Sequence, residues 1–410
     1  MIHIANKANC CGCSACVQRC PQHCITLHED TEGFLYPEVN MEACVDCGLC
    51  EKVCPWTGRS DALQPLQTLA VRNPKEEERL ASSSGGVFVS LAHSVIEKGG
   101  VVFGAVFDEQ WEVKHTYAEK MEGIRPMMGC KYLQSRIGNC YLEAEKFLRQ
   151  GREVLFTGTP CQIAGLHRFL QKDYPNLLSA DFLCHGVPSP GIWRKYLDET
   201  LGRNRGKAPL LSKALFPFLK RTPPITGINF RDKRIYGWKN YCFTVYGQSA
   251  SGSQRKANVV SMIHGKNTFM RGFLYDIYLR PSCYRCKCKN GVSHSDLTLA
   301  DYWGINELMP DFDDDKGVSL LLLNTRKGLE VFQSLHMEAR PSNLDDARQF
   351  NGGFKEEIEI SSRRETFYQL IGNGWGVINA VEKCLNDPMY KRLIRRMIRK
   401  IETIRRHLSI

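Results

Sequence analysis

The 410-residue chain has no run approaching the roughly 18 apolar residues that a membrane-spanning helix requires. Its opening stretch, "MIHIANKANCC", holds no apolar segment of signal-peptide length, so the expectation is a cytoplasmic protein. A G-x-G-x-x-G turn after a strand is also missing, which leaves a Rossmann dinucleotide site without support. The loop "PDFDDDKG" is acidic but lacks the ordered ligand spacing of a calcium loop. No basic face interleaved with aromatics is present to hold nucleic acid. The formal net charge is +11, yet the last stretch, "YKRLIRRMIRKIETIRRHLSI", carries eight Lys or Arg against one Glu. That +7 leaves only +4 for the rest of the chain, so the excess belongs to one tail.

Cysteine, by contrast, is abundant: 19 residues, an odd total that argues against a pure disulfide framework. In a reducing compartment clustered cysteines read as metal ligands or catalytic groups. The length predicts two or three domains, with ample apolar content for real cores.

The first 57 residues repeat themselves. Cys10, Cys13, Cys16, Cys20 and Pro21 recur 34 positions later as Cys44, Cys47, Cys50, Cys54 and Pro55. Both copies read C-x2-C-x2-C-x3-C-P, the bacterial-ferredoxin run, in which the fourth cysteine serves the other cluster. Three cysteines of one tight loop reach three irons of a cubane, and the proline sends the fourth sulfur across. The expected ligand sets are Cys10, Cys13, Cys16 and Cys54 for one 4Fe–4S cluster, and Cys44, Cys47, Cys50 and Cys20 for the other. Zinc, the rival, favours two separated C-x-x-C pairs. Cys11 and Cys24 fall outside the pattern and read as spare. The intervening "ITLHEDTEGFLYPEVN" predicts short strands around a Gly turn.

Residues 58–68 have the Gly, Ser, Asp and Pro content of a linker. In "SSSGGVFVSLAHSVIEKGG" a Ser/Gly turn opens a helix. It is either an anion site of convergent N–H groups or a plain N-cap by Ser84. Two strand–turn–helix units follow, "EVLFTGTPCQIAGLHRFL" and "LLSADFLCHGVPSPGIWRKYL", the second with Ser189 as N-cap and Pro190 at the first helical position. Ligands gather at the carboxyl ends of such strands, where Cys161 and Cys184 lie. If the two strands are parallel neighbours, these thiols stand side by side. The later "PSCYRCKCKNG" supplies Cys283, Cys286 and Cys288. Cys161 and Cys184 with Cys283 and Cys286 would make a four-thiolate site. The alternatives are inert buried thiols, or Cys161 as a low-pKa nucleophile at a helix N-terminus.

The ordered stretches "SSSGGVF", "GCKYLQSRIG", "VLFTGTPCQIAGL", "DFLCHGVPSPGIWRKYL" and "CYRCK…SDLTLADYWGI" together resemble the family of beta subunits of coenzyme F-420 hydrogenases and dehydrogenases, to which 7-hydroxymethyl chlorophyll a reductase is related. The resemblance runs from about residue 70 to about residue 340. It implies an α/β domain with FAD and a third 4Fe–4S cluster, held by Cys161, Cys184, Cys283 and Cys286. The flavin is implied near Ser83, Ser84, Gly85 and Gly86, and near Lys131, Tyr132 and Ser135. Cys288 and Cys130 depart from the family pattern, and nothing marks a deazaflavin pocket specifically.

The expected architecture is α+β and α/β. A small dicluster ferredoxin-like domain (1–57) and a linker (58–68) precede a mixed α/β flavin and iron–sulfur domain (69–340) and a helical basic tail (341–410). The chain from 200 to 280 reads as an excursion over the site, with His185, His264 and His294 as candidate proton donors. In the tail, Leu393, Ile394, Met397, Ile398, Ile401, Ile404 and Leu408 share one face, which suits peripheral membrane contact, an acidic partner or packing on the body. The expected function is a flavin- and iron–sulfur-dependent oxidoreductase, with a ferredoxin-like or other redox partner protein and a small-molecule redox substrate. The alternative is a non-catalytic electron-relay subunit of a larger complex.

Overall fold

A computed structural model describes residues 1–58, 61–201, 224–248, 256–355, 358 and 360–386. The apolar face expected in the tail, and most of the tip "GQSASGSQRKAN", lie outside the described residues. Among the described residues no helix is long and apolar enough to cross a membrane.

The N-terminal module is built as the repeat predicts. The hairpin β1 (Ile25–Glu29) and β2 (Leu35–Val39) pairs antiparallel around Gly33, whose φ of +84° suits glycine. Each cysteine loop contains two left-handed residues, and these also recur 34 positions apart. Gly12 (φ 73°) answers Asp46 (φ 47°), and Ser14 (φ 62°) answers Gly48 (φ 72°). Ser14 and Gly48 then cap the short helices Ala15–Arg19 and Leu49–Lys52. Such alternation turns successive N–H groups toward one concave point, a setting for an anionic cluster.

The second domain is an eight-stranded sheet. Its strands are β3 (Gln67–Arg72), β4 (Val101–Phe107), β5 (Val113–Ala118), β6 (Val154–Thr157), β7 (Leu177–Phe182), β11 (Leu297–Asp301), β12 (Ser319–Leu323) and β13 (Glu338–Pro341). Their order across the sheet is β13-β3-β12-β11-β7-β6-β4-β5. The four central strands β11, β7, β6 and β4 run parallel, and the strands on either side run antiparallel. Alternate side chains feed two cores. Val102, Leu155 and Leu297 meet Leu91 and Val95 of the helix Val87–Glu97 on one face. Val101, Phe103 and Phe156 meet Tyr141, Ile163 and Phe169 from the helices Cys140–Arg149 and Pro160–Leu170 on the other. Covering both faces explains why β12, "SLLLL", is buried at every position.

Val53 and Trp56 of the N-terminal module belong to that second core, so the module is packed onto the sheet domain. The stretch read as an excursion forms a separate antiparallel sheet of β8 (Ile225–Asp232), β9 (Cys242–Gln248) and β10 (Lys256–Ile263), with β9 in the middle.

Candidate redox centres

Two groups of thiols form within the N-terminal module. Cys20, Cys44, Cys47 and Cys50 line one cavity, which brings the fourth cysteine of the first run to the second loop. Cys24, read as spare, lines the same cavity with its sulfur 3.4 Å from that of Cys20. In the other group, burial pushes the Cys16 thiol up to about 12, and the neighbouring charges of Cys10 and Cys54 push the same way. The sulfurs of one run and the fourth cysteine of the other are therefore close neighbours in a place that disfavours bare thiolates.

A third group lies where the two central strands end. β6 and β7 are parallel neighbours in register at Thr157 and Ala180. Thr159 then starts the helix Pro160–Leu170 with a reciprocal capping box to Gln162, which places Cys161 in its first turn. Cys184 follows β7. Across from both, the turn Pro281–Tyr284 brings in Cys283 and Cys286, and all four thiols line one cavity. Val187 N–H donates to the Cys283 sulfur at 3.4 Å. Gly186 has to be glycine, because a Cβ there would stand 2.8 Å from Leu279 Cδ1 and 3.3 Å from Cys283 Cβ. Among the described residues, no three His, Cys, Asp or Glu converge closely enough for one metal ion. Cys20, Cys44, Cys47 and Cys50 line one cavity and Cys161, Cys184, Cys283 and Cys286 another, donor sets whose chemistry suits iron–sulfur ligation.

Two cysteines that break the patterns find places beside these groups. Cys288 is buried next to Cys286, and this neighbour lowers the Cys286 thiol to about 7. Cys11, read as spare, lines the third cavity, and its thiol lies near those of Cys13 and Cys161. No motif spacing marks Cys11; only the docking of module on sheet does. The same holds for Arg280, wholly buried three residues before Cys283. Its Nε donates to the Cys10 carbonyl (2.7 Å), Nη1 to Gln134 Oε1 (2.8 Å) and Nη2 to the Leu35 carbonyl (3.0 Å).

The residues implied for a flavin separate into two sets. Ser83 Oγ accepts from Cys130 N–H at 2.6 Å, so the Ser/Gly turn and the "GCKY" loop form one wall. Gly86, with φ +86°, caps the helix Val87–Glu97 with no side-chain bond, while Ser84 Oγ donates to the Val318 carbonyl; the plain Ser84 N-cap is not what forms. Gly85 is fixed by packing, since a Cβ there would lie 2.3 Å from the Val71 carbonyl oxygen. Tyr132 stacks on Phe273 with ring centres 4.8 Å apart. Lys131 and Ser135 turn inward. The Lys131 ammonium donates to the carbonyls of Met127, Met128 and Gly129, and Ser135 Oγ lies between His115 Nδ1 and Gln162 Nε2 at 2.9 Å from each.

β8 supplies the cations that were not anticipated. Arg231 donates to Asp301 Oδ2 at 2.6 Å and lies over the Tyr241 ring (4.2 Å), but its Nε and Nη2 are buried without a partner. Lys233 donates to the Ser84 carbonyl at 2.7 Å. Burial lowers the Lys233 ammonium to about 7 and the Lys131 ammonium to about 8. Burial raises the Cys130 thiol. Orphaned N–H groups and depressed lysines beside one carboxylate are chemistry suited to an anion such as a diphosphate.

The three candidate histidines are spread apart. His185 Nε2 is 2.7 Å from Asp276 Oδ1, His264 stacks on Tyr241 at 4.2 Å, and His294 lines a separate cleft with His167.

A module with two groups of clustered thiols, packed on an α/β domain in which four more cysteines line a cavity at the strand ends, fits an iron–sulfur protein. Residues 9–57 match the "4Fe-4S dicluster domain" family, and residues 151–206 match the family of the C-terminal part of the beta subunit in coenzyme F420 hydrogenases and dehydrogenases. The chain thus carries a match to a dicluster domain followed by a segment that matches the C-terminal part of these beta subunits. It is 24% identical to a subunit of the F(420)H(2) dehydrogenase of Methanosarcina mazei over 163 residues, covering 37% of this chain and 46% of that one. An uncharacterised Methanocaldococcus jannaschii protein is 24% identical over 193 residues, 40% of this chain and 53% of that one. The chain thus spans about half the length of these two relatives. A subunit of the NADH-quinone oxidoreductase of Geobacter metallireducens is 36% identical over 98 residues, 23% of this chain and 65% of that one. Among solved structures, one chain of the F420-reducing NiFe hydrogenase complex from Methanosarcina barkeri superposes with a TM-score of 0.44 at 16% identity, over 80% of this chain and 93% of that one.

Proposed function

We propose that the chain is an iron–sulfur flavoprotein oxidoreductase linking a one-electron protein partner to a two-electron small-molecule substrate. Bound here, 4Fe–4S clusters would supply single-electron transfer and FAD its conversion to a two-electron step. The chain's part is to hold and space them. Cys10, Cys13, Cys16 and Cys54 form the inner ligand set, Cys44, Cys47, Cys50 and Cys20 the outer, and Cys161, Cys184, Cys283 and Cys286 the third. Arg231, Lys233 and the Ser83–Gly86 turn receive the diphosphate, and Tyr132 offers an aromatic wall.

The observation that carries this reading is the place of Cys11, a residue of the first cysteine loop that packs with Cys13 and lines the same cavity as Cys161, Cys184, Cys283 and Cys286. It supports a continuous path from the module into the sheet domain. A relay subunit without a substrate of its own is the second reading, favoured by the two matched relatives that are named as subunits. Anaerobic purification with iron, sulfide and flavin assays separates the two. About 12 iron atoms and about one flavin per chain support the enzyme; about eight iron atoms without flavin leave the relay.

A further inference from the structure

The outer thiol group reaches the surface at one place. Cys20 and Cys50 are buried and Cys44 is partly covered, whereas Cys47 is exposed. The inner group is covered instead, because the helix Pro160–Leu170 lies on its loop at Gly165 and Arg280 on Cys10. Around Cys47 the chain displays apolar side chains it does not bury: Met41 and Val45 are each 63% exposed. Glu38, Glu42, Asp46 and Glu51 surround them, all exposed. The basic groups nearby are the Met1 ammonium, paired with Asp46 and Glu51 at 3.2 and 3.1 Å, the His28 ring, 3.6 Å from Glu38, and Lys52. The rim is therefore acidic, and cluster thiolates beneath it add negative charge.

We infer that this face, with Met41, Val45 and Cys47 at its centre, is the electron port of the module, and that its partner is an electron-transfer protein with a cationic collar around its own redox group. This rests on the proposed function and deepens it: charge complementarity disfavours an acidic, ferredoxin-like partner here. An apolar centre excludes water at the closest approach, and an opposite-charge rim speeds encounter and fixes orientation.

A cytochrome c with a lysine-ringed haem edge, and the same protein with its lysines succinylated, share one redox group and carry opposite rims. The full chain, loaded with iron and sulfide and reduced by dithionite, is mixed with each in a stopped-flow instrument. One electron leaves the reduced chain and converts ferric haem to ferrous. The expected rate with the lysine-ringed form falls at least about tenfold between roughly 20 mM and roughly 500 mM salt, and the succinylated form is slow throughout. Glu38→Lys combined with Glu42→Lys is expected to slow the lysine-ringed form about tenfold at low salt, not at high salt, with iron content unchanged. A faster reaction with the succinylated form, or a rate that rises with salt, overturns the port while leaving the redox reading intact. Sedimentation as a dimer that blocks the reaction would give the face to a second copy and overturn it too. A chain that binds no iron would sink both the port and the reading beneath it.

Discussion

Arg280 and Cys10 lie 270 residues apart, yet the Arg280 guanidinium donates to the Cys10 carbonyl at 2.7 Å and reaches its sulfur at 3.6 Å. The arginine also lies over the Tyr36 ring at 4.2 Å, so one buried cation fastens the module to the sheet domain. Arg280→Met leaves the Cys10 and Leu35 carbonyls and Gln134 without their donor. Unsatisfied buried groups cost about 1–3 kcal/mol each, so a fall of several degrees in Tm is expected. Losing a positive charge beside Cys10 also lowers the reduction potential of the inner cluster, as an EPR-monitored redox titration would read. A stable variant with an unshifted potential would remove Arg280 from both roles.

Substituting the third thiol group divides the cysteines by role. Cys161→Ser and Cys283→Ser are each expected to lower iron from about 12 to about 8 atoms per chain. Cys11→Ala and Cys288→Ala are expected to keep about 12, since neither belongs to the assigned set. Cys11→Ala should still slow electron passage from the module to the flavin, seen by stopped-flow bleaching of flavin absorbance. Loss of four iron atoms from the Cys11 variant would make it a ligand instead.

Gly165 sets how closely the sheet domain approaches the inner cluster. A Cβ at this position would meet Cys13 Cβ at 2.9 Å and Tyr141 Oη at 3.0 Å. Gly165→Ala forces helix and loop apart, at about 1–3 kcal/mol by the usual cost of overpacking. The checks are a lower Tm and a slower flavin bleaching phase with iron content intact. An unchanged rate would mean that the two centres do not communicate across this contact.

The two buried lysines make a pH prediction. Burial lowers Lys233 to about 7 and Lys131 to about 8, whereas an unfolded lysine titrates near about 10.4. The unfolded chain therefore holds more protons between about pH 7 and about pH 10. The flavin-free protein should gain stability from these groups as pH rises through that window, and nothing further below it. A bound diphosphate raises Lys233 and reduces the slope. Thermal melts across the window, with and without FAD, test this; a slope of opposite sign would place the lysines elsewhere. Arg231→Met should release flavin, because it removes the orphaned N–H groups and leaves Asp301 without its guanidinium.

Sequence carried the features whose signal is covalent spacing. The repeat at 34 residues foretold two loops with matching backbone, and the left-handed pairs Gly12/Asp46 and Ser14/Gly48 show that the repeat reaches the backbone dihedrals. Two aliphatic runs, each ending in a turn, foretold strands that close near Cys161 and Cys184; that the strands are parallel neighbours, the condition for the two thiols to share a cavity, came from the fold. Lone residues whose roles arise from docking were not legible. Cys11 and Arg280 act only where module and sheet meet. Arg231 and Lys233 sit where alternation along a strand says which face they share but not what that face covers. Lys131 and Ser135 were associated with the cofactor by motif, yet the carbonyls of residues 127–129 and the His115–Gln162 pair hold their polar atoms. A motif states that a residue type recurs, not which atom it faces.

The crossing of Cys20 to the second loop and Cys54 to the first has a consequence for damage. In the proposed assignment each half of the module lends a ligand to the other, and Cys20 also ends the helix that holds Cys16. Oxygen that dismantles the outer cluster through exposed Cys47 would free Cys20 and loosen the support of the inner one. The two centres would then be lost together and not in sequence, so a half-loaded chain should be scarce among partly oxidised molecules.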